Sequence, residues 1–296
     1  MKKVFRLDFS NMKGDFLGGL TAGVVALPLA LAFGEQTDLG AIAGLYGAIA
    51  IGVLAAFFGG TPTQISGPTA PMTVVSALVI ADAVAYAGSL ELALPLVIAT
   101  FFLAGLFEAL LGVFRLGKYI KYIPYPVVSG FMSGIGVIIV ITQIFPFFGV
   151  AAPSGGPMGT ITSIHKIPEV VNVYSVGVAL LTIAIIYGLP RLTKKVPAAL
   201  VALIVVSLAV MFFLPEGAIL KINTKGPIPT GLPDLQFGFI KVFGDFRHMM
   251  IIFEYAFTLA ALGAIDSLLT SVVADNITKT KHDSDQELIG QGIGNM

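Results

Sequence analysis

Two short stretches of this 296-residue sequence hold residues able to do chemistry. The first is Asp266, set in the otherwise apolar run Leu262-Gly263-Ala264-Ile265-Asp266-Ser267-Leu268-Leu269-Thr270-Ser271. Asp266 and Thr270 are four residues apart, so on a helix they share one face. A carboxylate with a hydroxyl one turn on is half of a hard-cation site, because such cations take oxygen ligands. The same carboxyl is also suited to carrying a proton, or to tying neighbouring helices together by hydrogen bonds. Placing it in a membrane helix costs roughly 2.5–3.5 kcal/mol on insertion scales, which weighs toward an ion or proton role.

The second stretch is Ser66-Gly67-Pro68-Thr69-Ala70-Pro71-Met72-Thr73. It follows a Gly/Pro break and opens an apolar run. Pro is tolerated in the first turn of a helix, where its missing N–H is not needed. A helix that starts inside a protein offers unpaired N–H groups and a positive dipole end. That is an anion site needing no Lys or Arg; an ordinary interfacial cap is the alternative. A third feature is Pro28, in the middle of an apolar run. It frees backbone carbonyls that can line a cavity, or it simply kinks a packed helix.

The elements that must position these residues follow from composition. The chain is 56% hydrophobic and 11% charged, against roughly 25% charged in a soluble domain. Seventeen basic residues balance seventeen acidic ones. No basic field exists to attract nucleic acid, and the class is a polytopic membrane protein with the lipid bilayer as solvent. Cys is absent, and the three His (165, 248, 282) stand at no ligand spacing, so no metal site other than one for sodium is expected. Nor does the sequence offer a P-loop, an HExxH or a Ser/His/Asp grouping. A membrane enzyme is therefore not expected, and neither is a cofactor.

A spanning helix needs about 20 apolar residues. The runs Phe16 to Gly34, Leu39 to Ala81, Leu92 to Phe114, Tyr125 to Phe148, Val170 to Pro190, Val196 to Leu214 and His248 to Ala274 meet that need. Leu39 to Ala81 is broken at Gly59-Gly60-Thr61-Pro62 and Gly67-Pro68, so it holds two spans. The fold class is all-α with about eight transmembrane helices. Twelve Lys and Arg fall at the N-terminus, after spans four and six, and in the tail; five fall on the other side. Both ends are thus expected in the cytoplasm, and the count is even. Asp8 and Asp15 interrupt the basic start, so the first run reads as a span and not a cleaved signal. Asp82 and Glu254 lie near span ends and read as solvated or interfacial. Glu108 reads as an interhelix bond, a snorkelling carboxylate or a transport residue.

The segment from Asp15 through Pro28 to Phe33, Ser66 to Pro71, Val128 to Gln143 and the eighth-span segment resemble, in order, signatures of the SulP family of anion transporters (sulfate permeases and relatives). Phe58 to Thr63, Ile265 to Asp275 and Glu287 to Asn295 are most similar to its BicA-type sodium-dependent bicarbonate branch. The resemblance implies a seven-plus-seven inverted repeat of the UraA-like kind, of which this chain resembles the first repeat plus one helix. It implies a cytoplasmic N-terminus (1–14), core helices in 15–114 and 248–274, and gate helices in 125–214. An extracytoplasmic loop would span 215–247, ordered and with a short amphipathic piece, and 275–296 would be a tail or the start of a further helix. It further implies Asp266 and Thr270 as sodium ligands, Thr69, Ala70 and Pro28 at the substrate anion, and a homodimer in the inner (plasma) membrane. The expected activity is sodium-coupled bicarbonate uptake by an elevator or rocking motion. Proton-coupled transport of sulfate or another anion is the alternative within the family; a scaffold or channel-like protein is the alternative outside it. Relatives continue through a second repeat and usually a STAS domain, so a chain stopping at Met296 reads as a truncation.

Overall fold

A computed structural model describes residues 9–37, 39–122, 124–151, 153, 156–193, 196, 198–220, 231, 237–244 and 246–296. Helices occupy all eight expected positions: α1 Met12–Glu35, α2 Gly40–Phe58, α3 Ala70–Ala87, α4 Leu90–Val113, α5 Tyr125–Thr142, α6 Val173–Leu192, α7 Ala198–Phe213 and α8 Phe246–Thr278. A further helix, labelled α9, covers Ser284–Asn295, and three short ones, Ile144–Phe147, Gly156–Ser163 and Ile167–Val170, lie between α5 and α6. No strand occurs among the described residues. Among the described residues, six helices are long and apolar enough to cross a membrane, and α7 is apolar but shorter.

Local chemistry sets the helix ends. Gly88, at φ +86°, takes the left-handed conformation that ends α3. Ser89 caps α4 by accepting a hydrogen bond from the Leu92 N–H. Asn172 accepts from the N–H groups of Tyr174 and Ser175 at the start of α6, and Asp283 accepts from Gln286 at the start of α9. Thr69 precedes α3 in extended conformation and makes no side-chain cap, as is also true of Asn11 before α1 and Leu39 before α2.

The chain divides into two compact units. The first comprises Met1–Asp15, Leu29–Ser133 and Thr230–Met296; the second comprises Phe16–Pro28 and Gly134–Pro229. In the second, α6 and α7 pack on each other. None of the residues of α6 is buried, which fits a helix apolar all round that meets lipid or further protein.

The first unit is centred on α4, which packs against α3, α8 and α9. Val79 and Ile80 of α3, Val97 of α4, and Ile252 and Leu259 of α8 form its apolar core. The amphipathic piece expected in the 215–247 loop is a 3₁₀ helix, Phe237–Gly244, whose Phe239 ring lies 5.2 Å from that of Phe102. Residues 221–230, 232–236 and 245 of that loop are outside the described residues, as are Lys2, Lys3, Arg6, Lys194 and Lys195 of the charge count.

The least predictable element is α9. It packs against both α2 and α4, although its composition is polar. Glycines allow it. A Cβ on Gly292 would strike the backbone of Ala109 and Gly105, and one on Gly290 would strike the backbone of Gly59. With no side chain between them, the helices approach to backbone contact. Glu287, Gln291 and Gly292 are buried in consequence.

Candidate ion-binding site

The start of α3 and the middle of α8 meet within the first unit. Thr69 immediately precedes α3, Ala70 is its first residue and is buried, and Pro71 follows in the first turn. The Thr69 side chain does not cap the helix, and the Thr69 carbonyl accepts both the Thr73 N–H and the Thr73 hydroxyl. The first-turn amides of Ala70 and Met72 precede any intrahelical acceptor, so this end carries the partial positive charge of a helix terminus.

Asp266 of α8 is 9% exposed. The Thr69 side chain lies against its carboxylate, yet the Thr69 hydroxyl oxygen is buried and makes no hydrogen bond of ordinary geometry. A buried carboxylate, a buried hydroxyl oxygen and an uncapped helix start therefore share one place. Such a group offers oxygen ligands to a hard cation and amide donors to an anion.

Thr270 lies one turn beyond Asp266, as the spacing predicts. Its hydroxyl donates to the Asp266 backbone carbonyl at 2.9 Å, which leaves the oxygen lone pairs available and the residue exposed. Pro28 lies within α1, half-buried, and α1 runs through it without interruption. It falls in the second unit, whereas Thr69, Ala70, Asp266 and Thr270 fall in the first.

Ser271 ties the site to the loop that precedes α3. It is fully buried. Its hydroxyl pairs with Thr61 at 2.8 Å and reaches Gln64 Oε1 at 2.9 Å and the Ser267 carbonyl at 2.8 Å. A hydroxyl has one proton to give, so Thr61 donates to Ser271 while the single Ser271 proton is shared between the Gln64 and Ser267 oxygens.

Sequence reasoning missed a second polar layer, carried by α9. Glu287 Oε2 accepts the Gly60 N–H at 2.8 Å, and Gln291 Nε2 donates to Glu287 Oε1 at 2.7 Å and to Ser66 Oγ at 2.5 Å. Asn295 Nδ2 donates to Glu108 Oε2 at 2.7 Å. Glu108 is 1% exposed, so of its three readings snorkelling is excluded and the interhelix bond is observed. The available signal was the spacing of Glu287, Gln291 and Asn295, a polar stripe at four-residue intervals in a Gly-rich segment. At the other end of α8, the Tyr255 hydroxyl donates to Asp82 Oδ2.

One expectation is corrected. A Ser/His/Asp grouping does form: His282 Nδ1 is 2.7 Å from Asp275 Oδ2, and its Nε2 is 2.8 Å from Ser284 Oγ. Asp275 also accepts the His282 backbone N–H at 3.1 Å. These bonds close the turn from α8 to α9. They were invisible in sequence because no spacing rule joins a helix end to the residues after its turn.

Known proteins share this arrangement of helices. The chain is 46% identical over 293 residues to the bicarbonate transporter BicA of Picosynechococcus sp., covering 98% of this chain and 51% of that protein. It is also 46% identical over 292 residues to BicA of Synechocystis sp., covering 98% and 50%. Among solved structures, the transmembrane domain of a cyanobacterium bicarbonate transporter BicA superposes with a TM-score of 0.86 at 44% identity, covering 99% of this chain and 74% of that one. The chain spans about half the length of the curated relatives it matches. The partial UraA-like membrane fold expected from sequence is the fold observed, and the protein is a multi-pass membrane protein. Because the sulfate permease family pattern runs through residues 12–296, from α1 to the end of α9, the chain belongs to the sulfate permease family.

Proposed function

We propose that the full-length protein carries a small inorganic anion, bicarbonate, across the inner (plasma) membrane together with Na⁺. The observation that carries this reading is the buried Thr69 hydroxyl lying against the Asp266 carboxylate at the uncapped start of α3. Na⁺ sits at Asp266, with Thr270 adding its hydroxyl oxygen. The anion sits at Thr69 and the Ala70 amide. The cation offsets the repulsion between the anion and the Asp266 carboxylate, so each ligand strengthens the other's binding. The BicA relatives, named as bicarbonate transporters, support the choice of anion.

The first unit holds most of the core domain and the second most of the gate. The two move against each other by an elevator or rocking motion, in a homodimer with cytoplasmic N-termini. Sulfate or another compact oxyanion, coupled to protons, is the second reading. It is favoured by the family's sulfate permeases and by amide and hydroxyl donors that accept any such oxyanion.

Uptake of labelled bicarbonate into vesicles containing the full-length protein, with and without an inward sodium gradient and with excess sulfate, separates the two. Sodium-driven uptake that resists sulfate supports the proposal. Sulfate uptake indifferent to sodium replaces it with the second reading.

A further inference from the structure

We infer that Glu287 and Gln291 of α9 are positioning residues for the anion site, fixing the start of α3 through Gly60 and Ser66. The inference rests on the anion reading given above.

Residues 59–69 connect α2 to α3 outside any helix or strand and deliver Thr69 to its place. Pro68 donates no hydrogen bond and Gly67 brings no side chain, so the last residues before Thr69 cannot fix themselves. The fixing comes from α9. At the loop's beginning, the Gly60 N–H donates to Glu287 Oε2 at 2.8 Å, and the Asp283 N–H donates to the Gly60 carbonyl at 3.0 Å. Near its end, Gln291 Nε2 donates to Ser66 Oγ at 2.5 Å, three residues before Thr69. The second Gln291 N–H donates to Glu287 Oε1 at 2.7 Å and joins the two anchors.

Glu287 is 2% exposed and Gln291 3%. Both carboxylate oxygens of Glu287 and both donors of Gln291 are used. Apolar residues of similar volume are often as stable as a buried polar pair. What the polar pair adds is a single fixed arrangement, and here it fixes the separation of Gly60 from Ser66. The anchors can form because Gly290 brings α9 against the Gly59 backbone. Shifting Ser66 shifts Thr69, and with it the hydroxyl that faces Asp266.

The test measures labelled bicarbonate uptake by the full-length protein in vesicles, as half-saturation concentration and maximal rate. Four variants are compared with wild type: Ser66→Ala, Ser66→Thr, Gln291→Met and Thr69→Val. Losing a hydrogen bond worth about 1 kcal/mol in site geometry corresponds to about a fivefold rise in half-saturation. That rise is expected for Ser66→Ala and Gln291→Met, with the maximal rate per folded molecule largely retained and with Ser66→Thr near wild type. A purely structural role lowers the amount of folded protein and leaves half-saturation alone. Unchanged half-saturation in Ser66→Ala overturns the inference, even if Gln291→Met does not fold. Unchanged half-saturation in Thr69→Val overturns the anion reading itself, so the two failures are told apart.

Discussion

Gly105→Ala tests whether backbone contact between α4 and α9 holds the first unit together. A Cβ at position 105 would stand 2.6 Å from the Gly292 carbonyl oxygen, 2.7 Å from the Met296 nitrogen and 2.9 Å from the Asn295 carbonyl carbon. All three are backbone atoms and cannot rotate away. Ordinary contact begins near 3.4 Å, so the helices must part by roughly 0.8 Å, and overpacking of this kind costs about 1–3 kcal/mol. Alanine's higher helix propensity returns at most about 1 kcal/mol. The net is a loss of about 0–3 kcal/mol. Parting the helices also strains the Asn295–Glu108 bond, which crosses the same contact, so the upper part of that range is expected. Gly52→Ala is the control. Its Cβ would meet only the Ser66 carbonyl oxygen, at 3.6 Å, so it should be neutral or stabilising by up to about 1 kcal/mol. Thermal unfolding of the purified protein in detergent compares the two. The reasoning is refuted if Gly105→Ala is as stable as Gly52→Ala.

Two further substitutions probe the buried polar layer. Asn295→Ala leaves both oxygens of Glu108 without a donor and should destabilise by about 1.5–3 kcal/mol; Glu108→Gln in the Asn295→Ala background should recover part of that loss, as read by the same unfolding assay. Ser271→Ala removes the partner of Thr61 and Gln64 and should destabilise by about 1–3 kcal/mol. Ser271→Thr, which keeps the hydroxyl, should fare better in the fraction of protein that elutes folded and monodisperse.

Most of the fold was legible because membrane helices announce themselves by length and lack of charge. The break at Gly59 to Pro62 and again at Gly67-Pro68 separates α2 from α3, where Gly and Pro disfavour helix. Asp266 was legible as a carboxylate inside its apolar run, unlike Glu254 near the run's start. Thr69 was legible from the Pro/Gly pattern, though nothing in sequence states that its hydroxyl faces Asp266 from another helix. The role of α9 was not legible. Its Gly, Gln and Glu content describes a solvated tail as well as a buried helix, and the difference lies in partners some 225 residues away, such as Ser66 for Gln291. Glu108 was ambiguous for a related reason. Its place two turns before Arg115 says nothing about which helix covers it, and Asn295 lies 187 residues further on.

In the proposed mechanism a cation at Asp266 and an anion at the start of α3 bind as a linked pair. Linkage demands reciprocity: if sodium tightens bicarbonate binding, bicarbonate tightens sodium binding by the same factor. The most direct measurement is equilibrium binding of sodium to the purified full-length protein, with and without saturating bicarbonate, in wild type and Asp266→Asn. The account predicts that bicarbonate strengthens sodium binding by about 5-fold or more in wild type, and that Asp266→Asn abolishes sodium binding while remaining folded. Sodium binding that ignores bicarbonate, or that survives in Asp266→Asn, contradicts it.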